Sequence, residues 1–164
     1  MPSNSNKIPR LSDPRLVIQK ADRRLELFDG EILVKTYKLA LGFSPAGNKE
    51  IEGDGRTPEG EFYVFAKNPK SKFHLSLGLS YPGLEDARRG LNEGLISQEE
   101  HDEIIAAIAE KRMPLQNTKL GGEIYIHGGG TASDWTEGCI TLGDEEMTAL
   151  FEAIPLGTRV TILP

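Results

Sequence analysis

The pair Asp29-Gly30, set between two short apolar runs, most narrows what this chain can fold into. A two-residue type I′ turn needs positive φ at both central positions, and Asp-Gly tolerates it, so a β-hairpin is expected here. Ahead of the pair, Leu16-Val17-Ile18 is a compact apolar run, and Leu25, Leu27 and Phe28 alternate with polar neighbours. Behind it a return strand is expected over 32–41, ending at Gly42. Further β-type segments fall at 62–65, 73–79, 124–126, 139–142 and 160–163. Ser97-Gln98-Glu99-Glu100 has the spacing of a capping box, and Ile104, Ile105, Ile108 and Met113 follow at helical intervals. That spacing predicts a helix over 98–112, stopped by Pro114. A second helix is expected after Asp144, with Glu145 and Glu146 in its electropositive first turn and Met147, Leu150, Phe151 and Ile154 on its buried face. Strands outnumber helices without alternating with them, which makes the class α+β and sheet-dominated.

The length, 164 residues, is that of one domain. Residues 1–14 read as a flexible lead-in and residues 15–164 as a single domain. The lead-in is polar and proline-punctuated and shows no secretory signal. With 19 Lys+Arg against 25 Asp+Glu the net charge is −6, and no long basic block is present. This balance argues against nucleic acid as a partner. No apolar run approaches the ~20 residues of a transmembrane segment. A single cysteine, Cys139, excludes an intramolecular disulfide framework and any zinc site of several cysteines.

Phosphate-cradling loops are excluded next. Gly53-Asp54-Gly55-Arg56 lacks the later Gly-Lys of a P-loop, and Gly128-Gly129-Gly130 leads into a polar loop, not a helix. The segment 124–140 differs in kind. A strand ends on His127, a glycine-rich loop follows, and Gly138-Cys139 opens the next apolar run 12 positions after the histidine. Neighbouring strand ends can bring an imidazole to a thiol and activate it. The backbone amides of Gly138 and Cys139 are candidates for an oxyanion hole. Taken singly, a lone cysteine is more often a small buried hydrophobe. A strand-end histidine and loop glycines are likewise commonly structural, and their concentration in one short segment favours chemistry.

Within that segment, His127-Gly128 followed by Asp134-Trp135-Thr136-Glu137-Gly138-Cys139 resembles the active-site stretch of the L,D-transpeptidase catalytic domain, the YkuD type, in the branch whose motif reads Asp-Trp-Thr-x-Gly-Cys. Gly53-Asp54-Gly55-Arg56-Thr57-Pro58-Glu59-Gly60-Glu61-Phe62 is similar to that family's Gly-Asp-x-x-Thr-Pro-x-Gly element, and the stretch from His74 through Tyr81-Pro82 to Asp86 fits the same branch. The resemblance implies a mixed β-sandwich with two or three peripheral helices. It implies Cys139 as nucleophile and His127 as base, acting without a cofactor or metal. The substrates implied are peptidoglycan stem peptides, with a wall-attached protein as a further partner, in the periplasm or cell envelope. Substrate-side candidates are Asp134, Trp135, Thr136 and Gly128 in the segment, with Tyr81 and Arg56 outside it. Turn chemistry accounts equally for Arg56, and a place in the core or the cleft for Tyr81 and His74.

The commoner family pattern, Ser-His-Gly-Cys-x-Arg or Asn, is replaced here by Thr136-Glu137-Gly138-Cys139-Ile140-Thr141. A carboxylate aimed at the nucleophile would raise its pKa, so Glu137 is expected to point outward or meet a cation. Transfer to a second amine and hydrolysis by water both remain compatible with this motif, and the stretch 84–111 is the candidate lid that would favour transfer. A non-catalytic wall-binding module and a zinc site built from His74, His127 and Cys139 are the readings from other classes.

Overall fold

The computed structural model describes residues 7–71 and 74–164. Strands β1 (Pro14–Gln19), β2 (Arg24–Asp29) and β3 (Ile32–Lys38) form an antiparallel meander. The connection between β2 and β3 is Gly30-Glu31, one residue later than Asp29-Gly30 suggests, and of these two only Gly30 takes positive φ, at 62°. The shift follows from the Asp29 side chain. Its Oδ1 accepts the Ser12 and Asp13 amides at 3.1 and 2.6 Å, while the Gly30 amide donates to the Asp13 carbonyl at 2.7 Å. The last part of the lead-in is thereby tied to the sheet, and Ile8 and Leu11 pack against the core. Residues 1–6 and Phe73 lie outside the described residues.

β4 (Gly60–Ser71) is the spine of the sheet. Its first residues pair with β8 (Arg159–Leu163), and from Val64 onward it pairs with β5 (His74–Leu79), with register shifts that let one long strand bend. β6 (Tyr125–His127) lies against β5, and β7 (Ile140–Thr141) against β6. Among the described residues the order is β3-β2-β1-β8-β4-β5-β6-β7, with β1/β8 and β6/β7 parallel and the other pairs antiparallel. The sheet curls until its ends meet. Beyond β3, Ala40 and Thr141 exchange backbone hydrogen bonds of 3.1 and 3.0 Å. The expected strand over 32–41 therefore stops at Lys38 as an element, because its continuation leaves β2 for β7.

Alternating residues of these strands fill the interior, among them Leu16, Ile18, Leu25, Leu27, Leu77, Leu79, Ile126, Ile140, Val160 and Ile162. Each large aliphatic side chain removed from water contributes about 1.5–3 kcal/mol. Helix α3 (Asp144–Ala153) closes the core with Met147 and Leu150, followed by Ile154, and Phe151 is half-buried under Lys67. The architecture is the mixed, sheet-dominated α+β fold expected from the sequence.

Helices α1 (Leu84–Asn92) and α2 (Gln98–Ala109) pack on each other over a smaller cluster of Ala87, Ile96, Ile104 and Leu120. α1 has no counterpart among the expected helices: Leu84, Ala87 and Leu91 fall at helical spacing but are few, and its buried residues are Asp86, Ala87 and Gly90. Its start is set instead by Asp86, whose Oδ2 accepts the Gly83 amide at 2.8 Å. α2 begins with the expected reciprocal Ser97–Glu100 cap. It ends three residues before the expected 112. Lys111 turns left-handed at φ 55°, and the Lys111 and Arg112 amides donate back to the Ile108 and Ala107 carbonyls at 3.1 and 2.8 Å. This is a Schellman closure, reached before Pro114.

A left-handed non-glycine residue costs roughly 1–2 kcal/mol. Lys111 is exposed, so Lys111→Gly is expected to raise stability by about 1 kcal/mol in urea unfolding, less the unfolded-state entropy of glycine. A clear loss of stability would show that the lysine side chain contributes more than its backbone conformation costs.

Candidate active site

The parallel register between β6 and β7 sets Ile126 against Ile140 and His127 against Thr141. Side chains in register share a face and alternate along each strand. Cys139, one residue before β7, therefore falls on the face of Tyr125 and His127, while Ile126 and Ile140 turn into the core. Both His127 and Cys139 line a cavity of about 970 Å3, together with Trp135, Thr136 and Glu137.

The histidine is buried, and its Nδ1 lies 2.5 Å from the Gly128 carbonyl. A carbonyl only accepts, so Nδ1 carries the proton and Nε2 of the neutral ring is left as a base. Burial lowers the His127 pKa from its ordinary value, opposed by the Gly128 bond. The Trp135 indole meets the imidazole edge-on, at 5.7 Å between centroids.

The half-buried thiol of Cys139 donates to the Glu123 carbonyl at 3.4 Å and accepts the Tyr125 amide at 3.4 Å. Desolvation pushes its pKa up to about 11; the Tyr125 amide and Lys49 oppose this, and the charges of Glu123 and Glu137 add to it. Burial thus disfavours the charged form of both the thiol and the imidazole.

The turn that carries the cysteine is built from Thr136. Its Oγ1 donates to the Cys139 carbonyl at 2.7 Å and accepts the Gly138 amide at 3.2 Å. Gly138 N–H is thus engaged by the protein, and the Cys139 amide is the remaining candidate for an oxyanion hole. Behind the turn lies the loop over 53–59. A Cβ on Gly42 would stand 2.1 Å from the Gly55 carbonyl oxygen, and one on Gly138, at φ 139°, would stand 2.8 Å from that of Arg56. Backbone packs on backbone there, which only glycine permits.

Several residues expected on the substrate side do other work. Asp134 accepts the Leu41 amide at 2.9 Å and pairs with Arg23 at 2.8 Å. Those bonds hold its pKa below the usual carboxylate range, and they tie the loop to the strand that leaves β3. Arg56 donates its amide to Asp54 and its guanidinium to the Asn48 carbonyl, inside its own loop. Tyr81 is fully buried, with its hydroxyl on the Leu120 carbonyl at 2.6 Å. Gly128 holds the His127 ring through its carbonyl. Trp135 and Thr136 do line the cavity, and Glu137 is exposed at it, close enough for its charge to add to the rise of the thiol pKa. Thr141 is fully buried and donates to the Gly130 carbonyl at 2.8 Å, so it braces the glycine loop. His74 bonds Thr148 of α3, away from the cavity, and the three-residue zinc reading loses its first ligand.

Other cavity residues carry no sequence signal of their own. Ser76 is buried opposite His127 in the β5/β6 register. Phe43 and Glu123 arrive from loops, and Lys49 is held by Asp54 at 2.9 Å and the Ile51 carbonyl. A buried lysine cannot be told from a solvated one by sequence. The stretch 84–111 contributes nothing to the cavity lining and is not a lid over it.

A family model of the L,D-transpeptidase catalytic domain, YkuD, matches residues 13–162. No curated protein matches the chain. Among solved structures, the fold is similar to the helical cell shape determining protein Pgp2 from Campylobacter jejuni, with a TM-score of 0.64 and 22% identity over 96% of this chain and 50% of that one. It is similar to Bdellovibrio bacteriovorus Bd1075, with a TM-score of 0.59 and 18% identity over 96% and 52%. An L,D-transpeptidase from Mycobacterium smegmatis gives 0.55 and 10% identity over 93% and 59%. The chain spans about half the length of the first two, and at these identities the likeness is one of fold.

A neutral thiol has a pH signature. Alkylation of Cys139 by iodoacetamide is expected to speed up about tenfold per pH unit from pH ~7, levelling only near the thiol pKa of about 11. A plateau below pH ~8, absent in Cys139→Ala, would instead reveal a preformed thiolate.

Proposed function

The chain belongs to the L,D-transpeptidase catalytic domain family, and we propose from that membership that it is a cysteine acyl-transfer enzyme acting on peptidoglycan stem peptides. The observation that carries this reading is the placement of Cys139 and of the Nε2-basic His127 on one face of adjacent strands, at one cavity.

The Cys139 Sγ attacks the carbonyl of a diamino-acid residue linked to a D-amino acid, and the thiol proton passes to His127 Nε2. The carbonyl electrons move to oxygen, where the Cys139 amide stabilises the charge. Collapse of this intermediate breaks the C–N bond, and the D-residue leaves with the proton returned by His127. A thioester remains on Cys139. Attack by a second amine gives a crosslink or attaches a protein to the wall; attack by water releases a shortened stem. Because peptidoglycan lies outside the cytoplasmic membrane, this chemistry belongs to the periplasm or cell envelope.

The hydrolytic outcome gains support from one feature. Helices α1 and α2 stand clear of the cavity, so they do not shield a thioester there from water.

Incubation with a carbapenem and with muropeptides, followed by mass spectrometry, tests the reading. Wild-type protein is expected to gain one acyl adduct on Cys139. Cys139→Ala should lose it, with turnover falling by roughly 10^6-fold, as when a nucleophile coupled to its base is removed. Crosslinked product masses would assign transfer, and shortened stems hydrolysis. Undiminished muropeptide turnover by the alanine variant would end the proposal.

A further inference from the structure

The Gly53–Phe62 motif contributes Gly53 to the cavity wall, yet its central threonine stands behind the nucleophile. Thr57 is fully buried. Its Oγ1 donates to the Gly138 carbonyl at 2.8 Å and accepts the Gly42 amide at 3.4 Å. The Gly138 carbonyl belongs to the peptide whose N–H is that of Cys139, so whatever fixes this oxygen fixes the direction of that amide. Thr57 is itself held from behind. The buried Lys20 ammonium donates to the Thr57 carbonyl at 2.7 Å, to the Gly47 carbonyl at 2.8 Å and to Glu59 at 3.1 Å, which uses all three of its protons. With Gly42 and Gly138 packed on the loop backbone, a rotation of this peptide has little room.

We infer that Thr57 is a positioning residue: its hydroxyl, anchored through Lys20, locks the Gly138–Cys139 peptide so that the Cys139 amide points at the oxygen of the bound acyl group. This rests on Cys139 being the nucleophile. The hydroxyl meets no substrate, and it acts by keeping one donor aimed before the substrate arrives.

Thr57→Val keeps the shape and removes the hydroxyl, while Thr57→Ser keeps the hydroxyl. Single-turnover acylation by a carbapenem, alkylation by iodoacetamide and thermal unfolding are measured on each. Alkylation needs the thiol and no oxyanion donor, so it reports the cysteine alone. Thr57→Val is expected to acylate about 10–100-fold more slowly, with the half-saturating carbapenem concentration and the alkylation rate unchanged, and Thr57→Ser to recover most of the rate. Thr57→Ala, less crowded, gives the same comparison if the valine variant does not fold. Wild-type acylation in the folded Val or Ala variant, or equal falls in acylation and alkylation, would overturn the inference. Cys139→Ala in parallel separates the two levels: an adduct that survives there removes the nucleophile itself, whereas its loss beside an unaffected Thr57→Val removes only the role of Thr57.

Discussion

The parallel pairing of β6 with β7, which sets His127 against Thr141 at the last residue of both, is the constraint from which the site follows. A slip of one residue would turn His127 or Cys139 into the core and bring Ile126 or Ile140 out. The register is held on every side. Ile126 and Ile140 are fully buried, Ser76 pairs with His127 across β5, and Ala40 bonds Thr141 across the seam where the sheet closes. The long bent β4 makes that closure possible, because it serves β8 with one half and β5 with the other.

Around this frame, burial disfavours the charged forms of both His127 and Cys139. Burial lowers the imidazole and raises the thiol, and in each case it outweighs the hydrogen bond that opposes it. The Gly128 carbonyl fixes the tautomer, Thr136 shapes the turn, and the backbone contact among Gly42, Gly55 and Gly138 leaves the turn little freedom. The loop from Asp134 is tied back by Arg23, so the residues between His127 and Cys139 have firm anchors at both ends.

Much of this is legible in the residues. A histidine closing one apolar run and Gly-Cys opening the next is a local pattern, and chain order alone picks out His127 and Cys139 as the candidates that the fold brings to one cavity. The hairpin, the capped start of α2 and the buried face of α3 are equally local. Asp134, Arg56 and Tyr81 show the limit of such reading. A motif records that a side chain is needed, and it does not distinguish a residue that touches substrate from one that holds the loop which does. Ser76 and Glu123 escape a reading of the chain because strand register and loop folding bring them to the cavity. α1 escapes it because its apolar stripe, Leu84, Ala87 and Leu91, is short and its start is set by Asp86.

The most direct measurement is a crystal structure of the acyl-enzyme formed with a stem-peptide substrate. The expected result is a thioester on Cys139 Sγ, with its carbonyl oxygen on the Cys139 amide and His127 Nε2 facing the position vacated by the leaving amine. An acyl group on any other residue, or a thioester oxygen directed away from that amide, would contradict the arrangement.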